Sequence, residues 1–386
     1  MTDAVVIGAG PNGLVAANLL ADAGWDVVVL EANATPGGAV RTAEVTAPGF
    51  RNDLFSAFYP LGVLSPVLRT LHLERHGLRW VHAPLVLAHP LPDGRAAVLS
   101  RNLDETAAGL DAFARGDGDR WRDLYRRWQR AGESFLATLT GPMPPMRAGA
   151  GLARALGPRQ LAPFTRFALL PVRRMADECF SGEGGGLLLA GNALHTDLGP
   201  EAAGSGVFGW LLAMAGQEVG FPVPEGGAQA LTDALVARLS SKGGQVVCGA
   251  RVTEVTIRGG RAVGVRTAAG DDVPAGRAVL ADCDVLSLYR RLVGADHLPP
   301  GTTAALDRYQ LGPATVKVDW ALSAPIPWTN PDARRAGTLH LADSLDELSI
   351  TSAQLAAGLV PDRPFLLFGQ MTTADPTRSP PGTEAA

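Results

Sequence analysis

The chain has 386 residues, 46% of them hydrophobic and 19% charged, with a formal net charge of -4. That is material for more than one compact core, and it lacks the basic footprint that nucleic-acid binding requires. No run approaches the ~18 uninterrupted apolar residues of a membrane span. The three cysteines, Cys179, Cys248 and Cys283, are too scattered for a CxxC redox pair or a zinc site. Reduced thiols in a cytoplasmic setting are expected.

Residues 4–7 (AVVI) are predicted as a buried strand and 27–30 (VVVL) as a second. Between them Leu14 to Ala23 is rich in Ala and Leu and runs into Gly24, a natural helix stop. Strand, glycine turn, helix and strand within about 30 residues make a βαβ unit. The first strand follows Met1 so closely that a signal or transit peptide is not expected.

From about residue 100 to 215 the sequence predicts a mostly helical insertion. Trp121, Leu124, Tyr125 and Trp128 recur at helical spacing, and Pro142, Pro144 and Pro145 break the run. Phe164 to Met175 is predicted as a helix packed on the core, its Arg166, Arg173 and Arg174 facing solvent or a membrane surface. From Pro224 the βα character returns. Gly226-Gly227 is predicted to open a helix with Leu231, Leu235 and Leu239 on one face, closed by Gly243-Gly244. Strands follow over 246–247, 252–257, 262–267 and 278–281. Residues 314–322 and 365–371 are predicted as further strands, and 375–386 (DPTRSPPGTEAA) as a polar loop.

The chemistry lies in the first glycine turn. Gly8-Ala9-Gly10-Pro11-Asn12-Gly13 is GxGxxG between a strand and a helix. Gly8 permits the tight turn, Gly10 lets a pyrophosphate approach the backbone, and Gly13 lets the helix pack on the sheet. Free N–H groups and the helix dipole then favour phosphate. Glu31, followed by Ala32, ends the second strand, where its carboxylate suits ribose hydroxyls. A 2′-phosphate there would meet a like charge, so FAD or NAD is expected rather than NADP.

Gly37-Gly38-Ala39-Val40-Arg41-Thr42 comes next. It resembles the GGxxRT segment of the flavoprotein amine oxidase and phytoene desaturase superfamily, which runs along the FAD pyrophosphate. By that resemblance Gly37, Gly38, Ala39, Arg41 and Thr42 join the cofactor-binding residues, Arg41 supplying charge, and the cofactor is FAD. PEGGAQALTDAL (224–235) is similar to the P-x-GG-x-x-x-L segment of carotenoid desaturases, and 250–282 to the strand pair after it. This implies a backbone contact from Val252 to the adenine. Residues 370–385 are similar to an internal loop of the group called pyridine nucleotide-disulfide oxidoreductase domain-containing protein 2. Members of the superfamily continue into a Gly-rich segment and a last helix at the flavin, so this chain is expected to be a piece of a longer protein.

The resemblance implies an α/β fold: a discontinuous Rossmann-type FAD-binding domain over 1–90 and 216–300, and a mixed helical and β-sheet substrate domain over 91–215 and 301–386. It implies an FAD-dependent oxidoreductase with desaturase, saturase or isomerase-like chemistry on an apolar small molecule. Neither metal nor nucleic acid is expected, and membrane contact is at most peripheral; no oligomeric state follows. An FAD-dependent amine oxidase and a non-catalytic flavin-binding scaffold are the alternatives, while residues 37–42 oppose an NAD-dependent dehydrogenase. No catalytic side chain stands out. A second GxGxxG, Gly204 to Gly209, follows no strand and is read as a helix-start packing motif. His195 has no catalytic constellation around it in sequence and is read as structural, as are His72, His76, His82 and His89. Phe55, Phe58 and Tyr59 remain open between flavin surroundings and core.

Overall fold

Short strands without polar alternation belong to a sheet covered on both faces. Strands β1 (Ala4–Ile7) and β2 (Val27–Leu30) are of this kind, joined by helix α1 (Pro11–Asp22) with Pro11 in its first turn. The computed structural model describes residues 2–386. After β2 the chain folds back through β3 (Thr42–Ala43) and β4 (Asn52–Asp53), then forms the hairpin β5 (Leu85–Pro90) and β6 (Ala96–Leu99). A helical stretch follows, with α2 (Asp117–Thr140), α3 (Met146–Leu156), α4 (Pro158–Leu169), α5 (Val172–Cys179), α6 (Glu183–Ala193) and α7 (Ser205–Val219). Helix α8 (Gln229–Ser241) leads into β7 (Gln245–Val247), β8 (Val252–Arg258), β9 (Arg261–Thr267), β10 (Asp272–Pro274) and β11 (Ala278–Ala281). The last strands are β12 (Ala321–Leu322), β13 (Ala336–Leu341), β14 (Leu366–Gly369) and β15 (Glu384–Ala385).

The parallel sheet has the order β11-β1-β2-β7, with Ile7 opposite both Ala281 and Leu30. Leu14 and Ala17 of α1 and Leu231, Leu235 and Leu239 of α8 are buried in one cluster with Ala4, Val6, Val27 and Val29. Val5, Ile7 and Leu30 instead pack with Val252, Val255 and Val265 of the antiparallel sheet β8-β9-β10. Burial on both faces explains the unbroken apolar runs of β1 and β2; each such side chain contributes roughly 1.5–3 kcal/mol relative to exposure.

A second sheet, β14-β13-β5-β6, is mixed: β5 and β13 run parallel and the outer pairs antiparallel. The division expected at residue 90 falls at the end of β5, inside this sheet. Helices α6 and α7 are apolar on every side, as helices enclosed by other elements are. Trp210 of α7 centres their core, its ring 5.3–6.3 Å from those of Trp128, Phe135, Phe164 and Phe167. The motif at Gly204 to Gly209 opens α7. A Cβ at Gly209 would stand 2.3 Å from the Leu189 carbonyl oxygen, and one at Gly206 2.8 Å from that of Leu170, so these glycines serve helix packing.

Four expectations change. Residues 314–320 are not a strand: the backbone of 314–319 finds no hydrogen-bonding neighbour, and pairing begins only at Trp320, which exchanges bonds with Ala386, and continues as Ala321–Leu322 against Glu384–Ala385. Gly226-Gly227 forms a turn ahead of α8, which starts at Gln229. Phe164 to Met175 is split between α4 and α5 where Pro171 ends the first helix. The stretch from Asp375 is no solvated loop, because Asp375, Arg378, Ser379 and Glu384 are all buried.

Candidate functional site

The first turn is shaped by a residue far along the chain. Asp282, just after β11, accepts a hydrogen bond from the Gly13 N–H through Oδ2 at 2.8 Å. A Cβ on Gly10 would lie 2.4 Å from that oxygen, and one on Gly8 2.6 Å from the Asp282 carbonyl oxygen. At Gly13 it would lie 2.4 Å from the Gly8 carbonyl oxygen. The glycines thus answer to Asp282 and to the turn itself, beyond the needs of a ligand. Asp282 also gives α1 the anionic cap that its own N-terminal residues lack. The N–H groups of Gly10 and Asn12 have no acceptor among the described residues, as expected at a helix start open to an anion.

The 37–42 segment closes on this turn. Gly37 N–H donates to the Ala9 carbonyl at 2.8 Å, and a Cβ on Gly38 would come within 3.0 Å of the Gly10 Cα. Gly38 has φ +55°, so two requirements select glycine there. Ala39 is exposed beside it. Arg41 donates from Nε to the Gly38 carbonyl at 3.0 Å and stands 6.0 Å from the Phe55 ring centroid. It has no carboxylate within ion-pair distance among the described residues, so its charge is free for an anion. Phe58 packs on the mixed sheet near Gly337 and Gly369, and Tyr59 joins the core beside α1, its phenol raised by burial.

Glu31 is buried at the end of β2. Its Oε2 accepts from Ala9 N–H at 2.8 Å, and its Oε1 from Asn33 N–H and Nδ2 at 2.8 and 2.6 Å. Oε2, with one donor, retains a lone pair for a hydroxyl, whereas both acceptor sites of Oε1 are taken by Asn33. Ala32 is half-buried next to it, and Val252 is buried against Ile7 and Leu30 at the same end of the sheet. The glycine turn, Glu31, the 37–42 segment and Val252 therefore meet at the C-terminal ends of parallel strands, where ligands of open α/β sheets bind. These residues fit a dinucleotide: the turn has no room for side chains, and its free donors and free cation suit a pyrophosphate.

Sequence reasoning missed the pair that ties these segments together. Asp53 Oδ1 accepts from Thr42 Oγ1 at 2.6 Å and from Ala228 N–H at 2.8 Å, while Thr42 Oγ1 accepts from Gln229 N–H at 3.0 Å. Fully buried Arg378 brings Nη2 to 2.9 Å from Asp53 Oδ2, with no N–H directed along that line, and donates from Nε to the Arg51 carbonyl at 3.0 Å. Asp375 Oδ2 accepts from Gly226 N–H at 2.7 Å. Each of these residues is unremarkable in its own stretch of sequence; the signal is that GGxxRT, PEGG and DPTR all contain groups able to pair.

A second polar group lies between the mixed sheet and α6. His195 Nε2 is 3.0 Å from His340 Nε2, and His89 Nε2 donates to the Ala342 carbonyl at 2.8 Å. The Nδ1 atoms of His89 and His340 are buried without partners. An unfilled lone pair costs less than an unpaired buried N–H, so we assign the His340 proton to Nε2, donating to His195. Desolvation by the surrounding protein pushes the imidazole of His195 down to about 4 although the residue is exposed at its edge, and burial holds His340 and His89 below the ordinary value as well. Two cavities of about 280 and 250 Å³ lie elsewhere, beside His72 and Trp80 and beside Arg127 and Phe164. Among the described residues no group of three or more His, Cys, Asp or Glu is arranged to hold a metal ion.

Residues 12–353 match the flavin containing amine oxidoreductase family, and the chain belongs to it. It is thus an FAD-dependent oxidoreductase related to phytoene desaturases. Rat pyridine nucleotide-disulfide oxidoreductase domain-containing protein 2 is 28% identical over 425 residues, covering 98% of this chain and 71% of the relative. The all-trans-zeta-carotene desaturase of Myxococcus xanthus is 27% identical over 402 residues, covering 98% and 70%. Among solved structures, an oxidoreductase from Methanosarcina mazei shares the fold with a TM-score of 0.59 at 18% identity, over 99% of this chain and 77% of that one. No helix among the described residues is long and apolar enough to cross a membrane.

Proposed function

We propose that the chain performs FAD-dependent redox chemistry of the desaturase or isomerase kind on an apolar, polyene-like small molecule. The observation that carries the cofactor assignment is the convergence of free Gly10 and Asn12 N–H groups and the unpaired Arg41 on one glycine-lined turn. In this reading Gly8, Ala9, Gly10, Pro11, Asn12 and Gly13 line the pyrophosphate, with Gly37, Gly38, Ala39, Arg41 and Thr42 closing over it. Glu31 and Ala32 hold the adenosine ribose, and the Val252 backbone meets the adenine. Bound FAD supplies the acceptor for a hydride from a C–H bond.

The name of the carotene desaturase relative favours an apolar substrate. So do the exposed side chains of Val316, Val318, Trp320, Leu366 and Leu367, which all lie in the part of the chain proposed to bind substrate. We assign that role to 85–215 and 301–386, and the cofactor to 1–84 and 216–300, the cut expected at 90 being moved ahead of Leu85 to keep the mixed sheet whole. The setting we propose is cytoplasmic. Peripheral membrane contact would use exposed Leu139, Met143, Met146 and Leu169 beside Arg147, Arg154 and Arg159; flotation with anionic vesicles tests it.

The absorbance spectrum of the purified chain, with and without added FAD, tests the central assignment. Flavin bands that bleach with dithionite, and then anaerobically with a carotene but not with a diamine, are expected. Bleaching by the amine alone would make the chain an amine oxidase. A folded chain that takes up no FAD, even when extended by the expected flavin-contacting segment, would leave only a scaffold role.

A further inference from the structure

Asp53 holds together segments that lie far apart in sequence. Its Oδ1 takes one donor from the 37–42 segment, Thr42 Oγ1, and one from the turn before α8, Ala228 N–H. Thr42 closes the triangle by accepting from Gln229 N–H, and it fills the space a side chain on Gly227 would need, 2.4 Å from the Cβ position. Leu54 N–H, adjacent to Asp53, donates to the Arg41 carbonyl at 2.9 Å, so the backbone of Arg41 is set by this arrangement. The cation within ion-pair distance of Asp53 is Arg378, and both side chains are shut off from solvent. Arg378 is itself held by exchange with Arg51, donating through Nε and accepting the Arg51 N–H on its carbonyl, across 327 positions. A buried carboxylate stripped of its countercharge cannot stay in place unchanged.

We propose that Asp53 and Arg378 are positioning residues for the cofactor. Their pairing fixes Thr42 and the 226–229 turn, and through them aims Arg41 at the pyrophosphate, so that docking of the 375–385 segment sets flavin affinity. This rests on the FAD reading above.

The test is titration of the chain with FAD, ADP and adenosine, followed by fluorescence or calorimetry, for wild type, Arg378→Met, Arg378→Lys and Asp53→Asn. Arg378→Met and Asp53→Asn are expected to weaken FAD and ADP tenfold or more while adenosine, which has no phosphate, changes less than twofold. Arg378→Lys, which keeps the charge, is expected to recover part of the loss. The Asp53→Asn/Arg378→Met double variant should be no weaker than the worse single, because the two act as one unit. Equal weakening of all three ligands would reduce the pair to a structural role, and unchanged FAD affinity in a folded Arg378→Met chain would overturn the proposal outright. Should Arg378→Met fail to fold, Arg378→Lys and the near-isosteric Asp53→Asn carry the same comparison. A folded wild type that binds ADP but not FAD sinks the flavin assignment and leaves the role in positioning for phosphate measurable.

Discussion

Two buried polar groups in this chain solve the same problem in opposite ways. At the nucleotide end, Asp53 and Arg378 remain as a charge pair, with Asp53 further held by a hydroxyl and a backbone N–H. Between the mixed sheet and α6, buried His89 and His340 and the exposed His195 beside them have no ion-pair partner among the described residues, and desolvation favours the neutral imidazole in each. A charge persists in the interior where donors from several segments converge on it. Where only ring nitrogens and one carbonyl meet, desolvation wins and the charge is lost. The first arrangement makes distant segments depend on one another; the second merely fills the core.

If the nucleotide end is the specialised one, crowding it should abolish binding, whereas crowding the helical core should lower stability. Gly13→Val pushes a side chain onto the Gly8 carbonyl oxygen, a backbone atom that cannot step aside. A loss of FAD affinity of roughly a hundredfold is expected, the upper end of an overpacking cost of about 1–3 kcal/mol. Gly209→Val, which meets the Leu189 carbonyl in the same manner, should lower the thermal midpoint and leave the affinity of the folded fraction unchanged. FAD titration and thermal melts of both variants decide this; equal effects on both readouts would erase the distinction.

Acid probes the neutral group. The unfolded chain protonates His195 near its ordinary value of 6.5, but the folded chain does so only near 4. Protons are therefore bound preferentially by the unfolded chain between these values. The contribution is complete above pH 6.5 and is lost as pH falls towards 4; because His195 is exposed, solvent screening keeps it well below the full value of such a shift. Urea unfolding of wild type and His195→Gln across that window should show a shallower pH dependence in the variant. Parallel curves would mean that His195 titrates normally.

The smallest expected effect returns to the nucleotide end. Asp282→Asn keeps an oxygen for the Gly13 N–H but removes a negative charge from the start of α1, where phosphate is proposed to bind. FAD should bind up to about tenfold more tightly, since a neighbouring unit charge near a protein surface is worth on the order of 1 kcal/mol or more. Weaker binding in the variant would show that the carboxylate assists the cofactor.

The βαβ unit was legible because its rules are local. Apolar runs at 4–7 and 27–30, glycines at fixed offsets and Glu31 at the strand end all act within a few turns of chain, and the structure brings them together. Four of the five strands of residues 245–281 were legible for the same reason, each turn chemistry lying beside its strand, while the short Asp272–Pro274 was not. Residues 314–320 had an equally good strand pattern in ATVKVDW and yet form none, because alternation cannot supply a neighbour to pair with. Residues 375–386 read as polar loop because Asp, Arg and Glu are normally solvated; their burial depends on Asp53, Gly226 and the Thr372–Thr373 amides, which local sequence does not reveal.

Short-range demands are written residue by residue: a left-handed turn needs glycine, a doubly covered strand needs Val or Ile, and a helix start needs free N–H groups. From these the glycine turn and the strand ends that the cofactor is proposed to occupy could be read. The partner of a buried charge is another matter. Asp282 reaches Gly13, Arg378 reaches Asp53 and His340 reaches His195 only after the sheets have closed. Whether such a side chain ends as an ion pair, a helix cap or a neutral ring is decided by the donors and the water left around it, and these exist only once the chain has folded.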